Sequence, residues 1–272
     1  MRKGQSTVRH KPDPMRMAMP TTFAEELRLA LPELRERLKL PPWLQFLFVH
    51  DRKDQAKLTD TEKARFICAI NTLIANGTYG SLVAIHADMS HMMHRTQRFL
   101  PWHRVYLVQL EQAIQAIHPD VTIPYWDWTQ AAEETVPAWL ASFTPTVPMP
   151  SGPPISVLRS PGASADLAVL ASNIPNIMAA GTFVDFWRQI EGVHNAVHVW
   201  VGGSMGSIPT APADPIFWMH HANCDRLWSL WQKAHPGINP DLAGAGLSTV
   251  MDPWATTEAD TRDIEAMGYD YV

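Results

Sequence analysis

Apolar positions recur at helical spacing through most of the chain beyond residue 58. In TDTEKARFICAINTLIANG, Phe66, Ile67, Ile70, Leu73 and Ile74 form one stripe, Thr59 and Glu62 make a capping box, and Gly77 ends the run. A second helical stretch, YGSLVAIHADMSHMMH, follows at once, and a third begins at PWHRVYLVQLEQAIQAIH, where Pro101 suits a first-turn position. A fourth helix is predicted over roughly 183–200, closed by Gly202-Gly203. The fifth starts at Asp214-Pro215, an N-cap followed by an N1 proline, and runs to about His235. Between them, VTIPYWDW (121–128) reads as short and extended. The proline-rich stretch 136–161 reads as a long surface loop. Strand signals are sparse, so the pattern predicts a mainly α fold. Residues 1–20 are basic and aperiodic and read as a mobile arm, 22–39 carry helical charge patterning, and PPWLQFLF is an apolar patch. The expected organisation is an N-terminal extension over 1–48 and a main domain over 49–272.

Composition narrows the function. A length of 272 residues, 46% of them hydrophobic, is enough for a sizeable core. The net charge of −5 favours neither nucleic acid nor an anionic membrane as a partner. No apolar run is long enough for a membrane span or a signal peptide, so the expected location is cytoplasmic, or outside the cell by way of an exported partner. Cys68 and Cys224 sit in apolar helical patterns and read as buried free thiols rather than a disulfide framework. Met15, Met17 and Met19 alternate in the arm, and thioethers suit Cu(I).

Histidine is the informative residue. His194 and His198 lie four apart, so both imidazoles leave one face of the fourth helix, with Glu191 on the same side. In FWMHHANCDRLW, His220 shares its side with Phe217, Cys224, Leu227 and Trp231 and reads as structural. His221 has Asp225 one turn on, where a carboxylate can fix an imidazole tautomer. The N-terminal half offers a parallel set: His103 at the start of a helix, His94 nine residues earlier and His86 eight before that, with His91 competing with His86. All-imidazole sites suit copper, zinc or iron, and two triads point to two metals. His118 and His235 each precede a proline at a helix end and have a structural reading.

FLPWHRVYLVQLE, IPYWDW, HNAVHVWVGG and DPIFWMHHANCDRLW closely resemble, in order, the blocks of the tyrosinase family of type 3 copper proteins. The resemblance spans about residues 49–235. It implies an antiparallel four-helix bundle holding two copper ions, one on His86, His94 and His103 and the other on His194, His198 and His221, with His220 a neighbour. Where many relatives place a cysteine two residues before the second ligand, this chain has Met92, so the thioether crosslink of those relatives is not expected. The loop between His86 and His94 is shorter than in streptomycete relatives. Eukaryotic latent relatives carry a C-terminal domain that plugs the site, whereas 37 residues follow His235 in this sequence, and the extension at 1–48 is a candidate lid instead.

The resemblance also implies O2 as co-substrate and small phenols as substrates, ortho-hydroxylated to catechols and then oxidised to o-quinones. Glu191 and Asn195 would hold the water that takes the phenol proton, and Ile208, in SMGSIPTAPA, lies near the gate to the site. The near alternatives are a catechol or o-aminophenol oxidase without monophenolase activity. An oxygen carrier like molluscan haemocyanin comes from a different class. A copper-delivering partner protein belongs to the same expectation.

Overall fold

A computed structural model describes residues 49–272 apart from 131, 132 and 134. The extension over 1–48, its methionines and its expected role as a lid lie outside the described residues. In chain order the elements are β1 (His50–Arg52), α1 (Asp60–Ala75), α2 (Thr78–Met93), α3 (Phe99–Gln115), α4 (Ala138–Ala141), β2 (Thr146–Val147), β3 (Ile155–Ser156), α5 (Ser164–Ala171), α6 (Ile174–Met178), α7 (Phe183–Val201), α8 (Pro215–Ala234) and β4 (Tyr269–Tyr271). The architecture is mainly helical, and α2, α3, α7 and α8 form the antiparallel bundle.

The local signals act as the sequence leads one to expect. Thr59 and Glu62 cap α1 reciprocally. Gly77, at φ 83°, lets α1 pass directly into α2, a left-handed backbone that a side chain would strain. Thr182 accepts the Asp185 N–H at the head of α7, and Asp214 accepts the Ile216 N–H at the head of α8. The third helix begins two residues before Pro101, because Phe99 and Leu100 are buried and continue its apolar face. Among the described residues no single helix is long and apolar enough to cross a membrane, although α1 and α2, bent by 78°, pass together by length and composition.

Two expectations fail, and one pair of helices had no counterpart in the sequence reading. The 136–161 stretch is not only surface loop: it holds α4 and the antiparallel β2–β3 pair, and Leu140, Val147 and Val157 point into the core. α5 and α6 follow and pack on α7, which the sequence pattern did not suggest. Cys68 is exposed, on the outer face of α1, whereas Cys224 is buried as expected.

The core is unusually aromatic. Trp102, Trp126, Trp128, Trp218, Trp228 and Trp231 are all less than 2% exposed. Each hides roughly 150–250 Å² of surface, and most donate their indole N–H to a carbonyl, a hydroxyl or an imidazole. Behind the bundle, β4 pairs in parallel with β1 and places Tyr269 and Tyr271 against a buried ionic cluster. There the Arg52 guanidinium spans Glu111 at 2.9 Å and Asp225 at 3.4 Å, and Arg104 Nε donates to Asp225 at 2.5 Å. The two tyrosine hydroxyls donate to the same Asp225 oxygen at 2.6 and 2.7 Å.

Candidate metal centre

Two clusters of imidazoles meet where the four bundle helices cross. His86 comes from the middle of α2, His94 from the residue that ends it and His103 from the first turns of α3. Their ligand nitrogens lie within 4.8 Å of one another. His91 is exposed and outside the cluster. On the other side, His194 and His198 project from α7 and His221 from α8. His194 Nε2 lies 2.9 Å from both His198 Nε2 and His221 Nε2, and the latter two are 3.4 Å apart. The clusters touch through His103 and His221, whose rings stack at 4.2 Å and 17°.

Hydrogen bonds decide which nitrogen of each ring is free. His86 Nδ1 faces the Ile208 carbonyl at 3.1 Å, His94 Nδ1 the Ser90 carbonyl at 3.1 Å and His103 Nδ1 the Phe99 carbonyl at 2.8 Å. His198 Nδ1 faces the Met205 carbonyl at 2.9 Å, and His194 Nδ1 faces Asn195 Oδ1 at 3.2 Å. Carbonyl oxygens only accept, so each Nδ1 carries the proton and each Nε2 is left with a lone pair. Burial, and after it the neighbouring imidazoles, hold His86, His103, His194 and His221 well below the usual histidine pKa, and burial lowers His198 to about 4. The rings are therefore neutral at neutral pH, the state in which imidazole ligates. The lone pairs of His194 and His198, 2.9 Å apart, and those of His86 and His103, 3.5 Å apart, have no proton between them and repel. A cation at each focus removes that repulsion, and an all-nitrogen donor set fits copper. The residues present fit a pair of such ions.

His220 also lies within 4.8 Å of His194 and His198 by its ring nitrogens. Both of those nitrogens are already engaged: Nδ1 accepts the Trp128 indole N–H at 3.0 Å, and Nε2 faces the His194 carbonyl at 3.3 Å. His221 is the reverse case. Its Nε2 joins the convergence, and its Nδ1 is buried with no partner. The geometry therefore groups His221, and not His220, with His194 and His198.

The expected pairing of Asp225 with His221 does not occur. The carboxylate is turned away by two guanidiniums and two phenols, whose combined pull exceeds what one neutral imidazole offers. Ile208 is 47% exposed, and its observed contact with the site is its carbonyl, which orients His86. Met205, in the same loop, orients His198, so one loop steadies a ring in each cluster. Gly203 lets this loop pass the 158–160 segment: at φ 55°, an added Cβ would lie 2.1 Å from the Leu158 carbonyl oxygen.

Glu191 is buried, and burial raises its pKa to about 7 against the opposing Arg95 N–H and charge. Its Oε1 accepts the Arg95 N–H at 2.7 Å. Glu191 and Asn195 lie one turn apart on the same helix and make no direct hydrogen bond, and Asn195 spends its oxygen on His194. Sequence reasoning missed Phe99 and Phe217. Phe99 packs against His103 and His194 at 4.8 Å, and Phe217 against His221 at 4.1 Å and His86 at 5.1 Å, which keeps water off the inner faces of both clusters. Their only sequence signal was that each stands four residues before a clustered histidine.

Comparison with known proteins bears on family and fold. The model of the common central domain of tyrosinase matches residues 76–165 and 156–234. A tyrosinase of Streptomyces antibioticus is 32% identical over 257 residues, covering 76% of this chain and 93% of that protein. A grixazone synthase of Streptomyces griseus is 29% identical, covering 79% of this chain and 97% of its own. Among solved structures, a functional unit of octopus hemocyanin superposes with a TM-score of 0.70 at 26% identity, over 82% of this chain and 68% of that one. The tyrosinase of Burkholderia thailandensis has the same fold, with a TM-score of 0.67 at 18% identity, over 82% and 74% of the two chains.

Proposed function

The chain belongs to the tyrosinase family, and from that membership we propose that it is a copper-dependent oxidase of small phenols, using O2 to hydroxylate monophenols at the ortho position and to oxidise the resulting catechols to o-quinones. One copper is held by His86, His94 and His103 and the other by His194, His198 and His221. The observation that carries this reading is the convergence of unprotonated Nε2 atoms, with five of the six rings fixed through Nδ1. Bound as a pair, copper supplies the redox change that lets one site reduce O2 while it oxidises a phenol.

The protein's own groups do the rest. A phenol has a pKa of about 10, so near neutral pH it needs a base before its oxygen can act as an anion. The Glu191 carboxyl, raised to about 7, is matched to that task, and its Oε2 makes no hydrogen bond among the described residues. Asn195 gives its carbonyl to His194 and keeps its amide N–H groups for a water, which would relay the phenol proton to Glu191. Phe99 and Phe217 exclude bulk water from the inner side. The half-buried His94 and His198 mark the open side, where substrate enters and where copper, free or brought by a delivery partner, is loaded.

Oxygen uptake by the copper-loaded full chain, given a monophenol and then a catechol, tests this. Uptake with both is expected. Uptake with the catechol alone would remove Glu191 and Asn195 from the proposed role and leave a catechol or aminophenol oxidase.

A further inference from the structure

Arg95 follows the proposed ligand His94 and is the one residue other than glycine, among those described, with a positive φ, 58°. Holding a side chain there costs on the order of 1 kcal/mol that glycine would avoid. The strain is fixed by the hydrogen bond from its N–H to Glu191 Oε1, so the backbone at Arg95 is clamped between a ligand and the base. Its side chain is exposed and forms no ion pair among the described residues. Asp241, whose backbone pairs with Gln97 on the same turn, directs its carboxylate to the Gly244 N–H instead. Asn195, Val199 and Ile208, also exposed beside the clusters, carry no charge. After burial and the Ser90 carbonyl, the Arg95 charge acts on His94, and it also opposes the rise in the Glu191 pKa, so it bears on both groups.

We propose that Arg95 is a specificity-determining residue, placing a fixed positive charge beside the open side of the site and selecting phenols whose ring substituent ends in a carboxylate over those ending in an amine. The proposal rests on the reading of the paired triads as a phenol-oxidising copper site. A guanidinium matches a carboxylate in a two-pronged geometry and repels an ammonium, and it stays charged across the working pH range. Arg95 is a contact for the far end of the substrate, remote from the oxygen that reacts.

The decisive variant is Arg95→Asn, because asparagine tolerates the left-handed backbone and keeps the N–H that Glu191 needs. On the copper-loaded full chain, kcat/KM is compared for 3-(4-hydroxyphenyl)propionate and tyramine, and binding is compared for the unreactive pair 3-phenylpropionate and 2-phenylethylamine. The expected result is a loss of about three- to tenfold for the carboxylates, through KM rather than kcat, with no loss for the amines. The gap should narrow at high salt, and the melting temperature should be unchanged or higher. An unaltered carboxylate-to-amine ratio in both assays overturns the proposal. If the wild-type chain oxidises no phenol, the phenol-oxidase reading fails, and the binding ratio of the unreactive pair still decides for or against Arg95.

Discussion

Replacing His220 or His221 by leucine should give opposite signatures, although the two residues are neighbours of the same type. His220→Leu strands the Trp128 indole N–H, buried at 3.0 Å from Nδ1, and removes a bond to the His194 carbonyl at 3.3 Å. A buried donor left without a partner costs about 1–3 kcal/mol and a lost ordinary bond about 1, so the metal-free protein should lose about 2–4 kcal/mol. Both copper sites keep their ligands. His221→Leu removes a ring whose Nδ1 has no partner and whose Nε2 crowds two other lone pairs at 2.9 and 3.4 Å. Leucine fills similar volume beside Phe217 and strands no donor, so metal-free stability should change by less than about 1 kcal/mol. That variant should bind one copper instead of two. Denaturant unfolding of stripped protein gives the first quantity and copper analysis after reloading gives the second. A stable His220→Leu variant lacking one copper, beside an unstable His221→Leu variant with two, would refute the assignment.

Asp225→Asn keeps the shape but removes the charge that Arg52, Arg104, Tyr269 and Tyr271 surround, leaving buried guanidiniums undercompensated. A loss of about 3–5 kcal/mol in unfolding free energy is expected by denaturant titration, and a loss under about 1 would show that the cluster is incidental. Glu191→Gln should lower monophenol hydroxylation by about a hundredfold or more while catechol oxidation changes little, and equal losses in both oxygen-uptake rates would count against a base at this position. In the metal-free protein, the folded-state pKa of Glu191 near 7 lies above its usual value. Its contribution to stability is therefore full below about pH 4.5 and is lost as pH rises through 7. The Gln variant should lack that decline between pH 5 and 8 in urea unfolding, and a parallel decline in both proteins would contradict the shift. Gly203→Ala forces a Cβ onto the Leu158 carbonyl and should displace the loop whose Met205 and Ile208 carbonyls orient His198 and His86. Weaker copper retention in a chelator competition is expected, and wild-type retention would show that the loop is not needed to hold the rings.

The sequence was most legible where the determinants are local. Thr59 with Glu62 and Asp214-Pro215 ahead of α8 announce helix starts within a few residues, and the four-residue step from His194 to His198 fixes a shared face. His220 and His221 are both buried, and it is their hydrogen-bond partners, not the apolar pattern of the helix, that separate them. What failed was non-local. Asp225 lies one turn from His221, as its spacing says, but Arg52 and Arg104 reach it from β1 and α3, and Tyr269 and Tyr271 from the far end of the chain. Nothing in the local pattern reveals those partners. The carbonyls of Met205 and Ile208 are invisible to any reading of side-chain types. Cys68 lies among apolar residues in sequence, yet its helix turns it outward. The short helices α5 and α6 carry no long apolar stripe and are held mainly by packing on α7.

The central claim, two copper ions on two specific triads, is tested most directly by a copper-edge anomalous difference map from crystals of the copper-loaded chain. Two peaks are expected, one within bonding distance of the Nε2 atoms of His86, His94 and His103 and the other of His194, His198 and His221, with His220 still bound to Trp128. A single peak, or a second one ligated by His220, would contradict it.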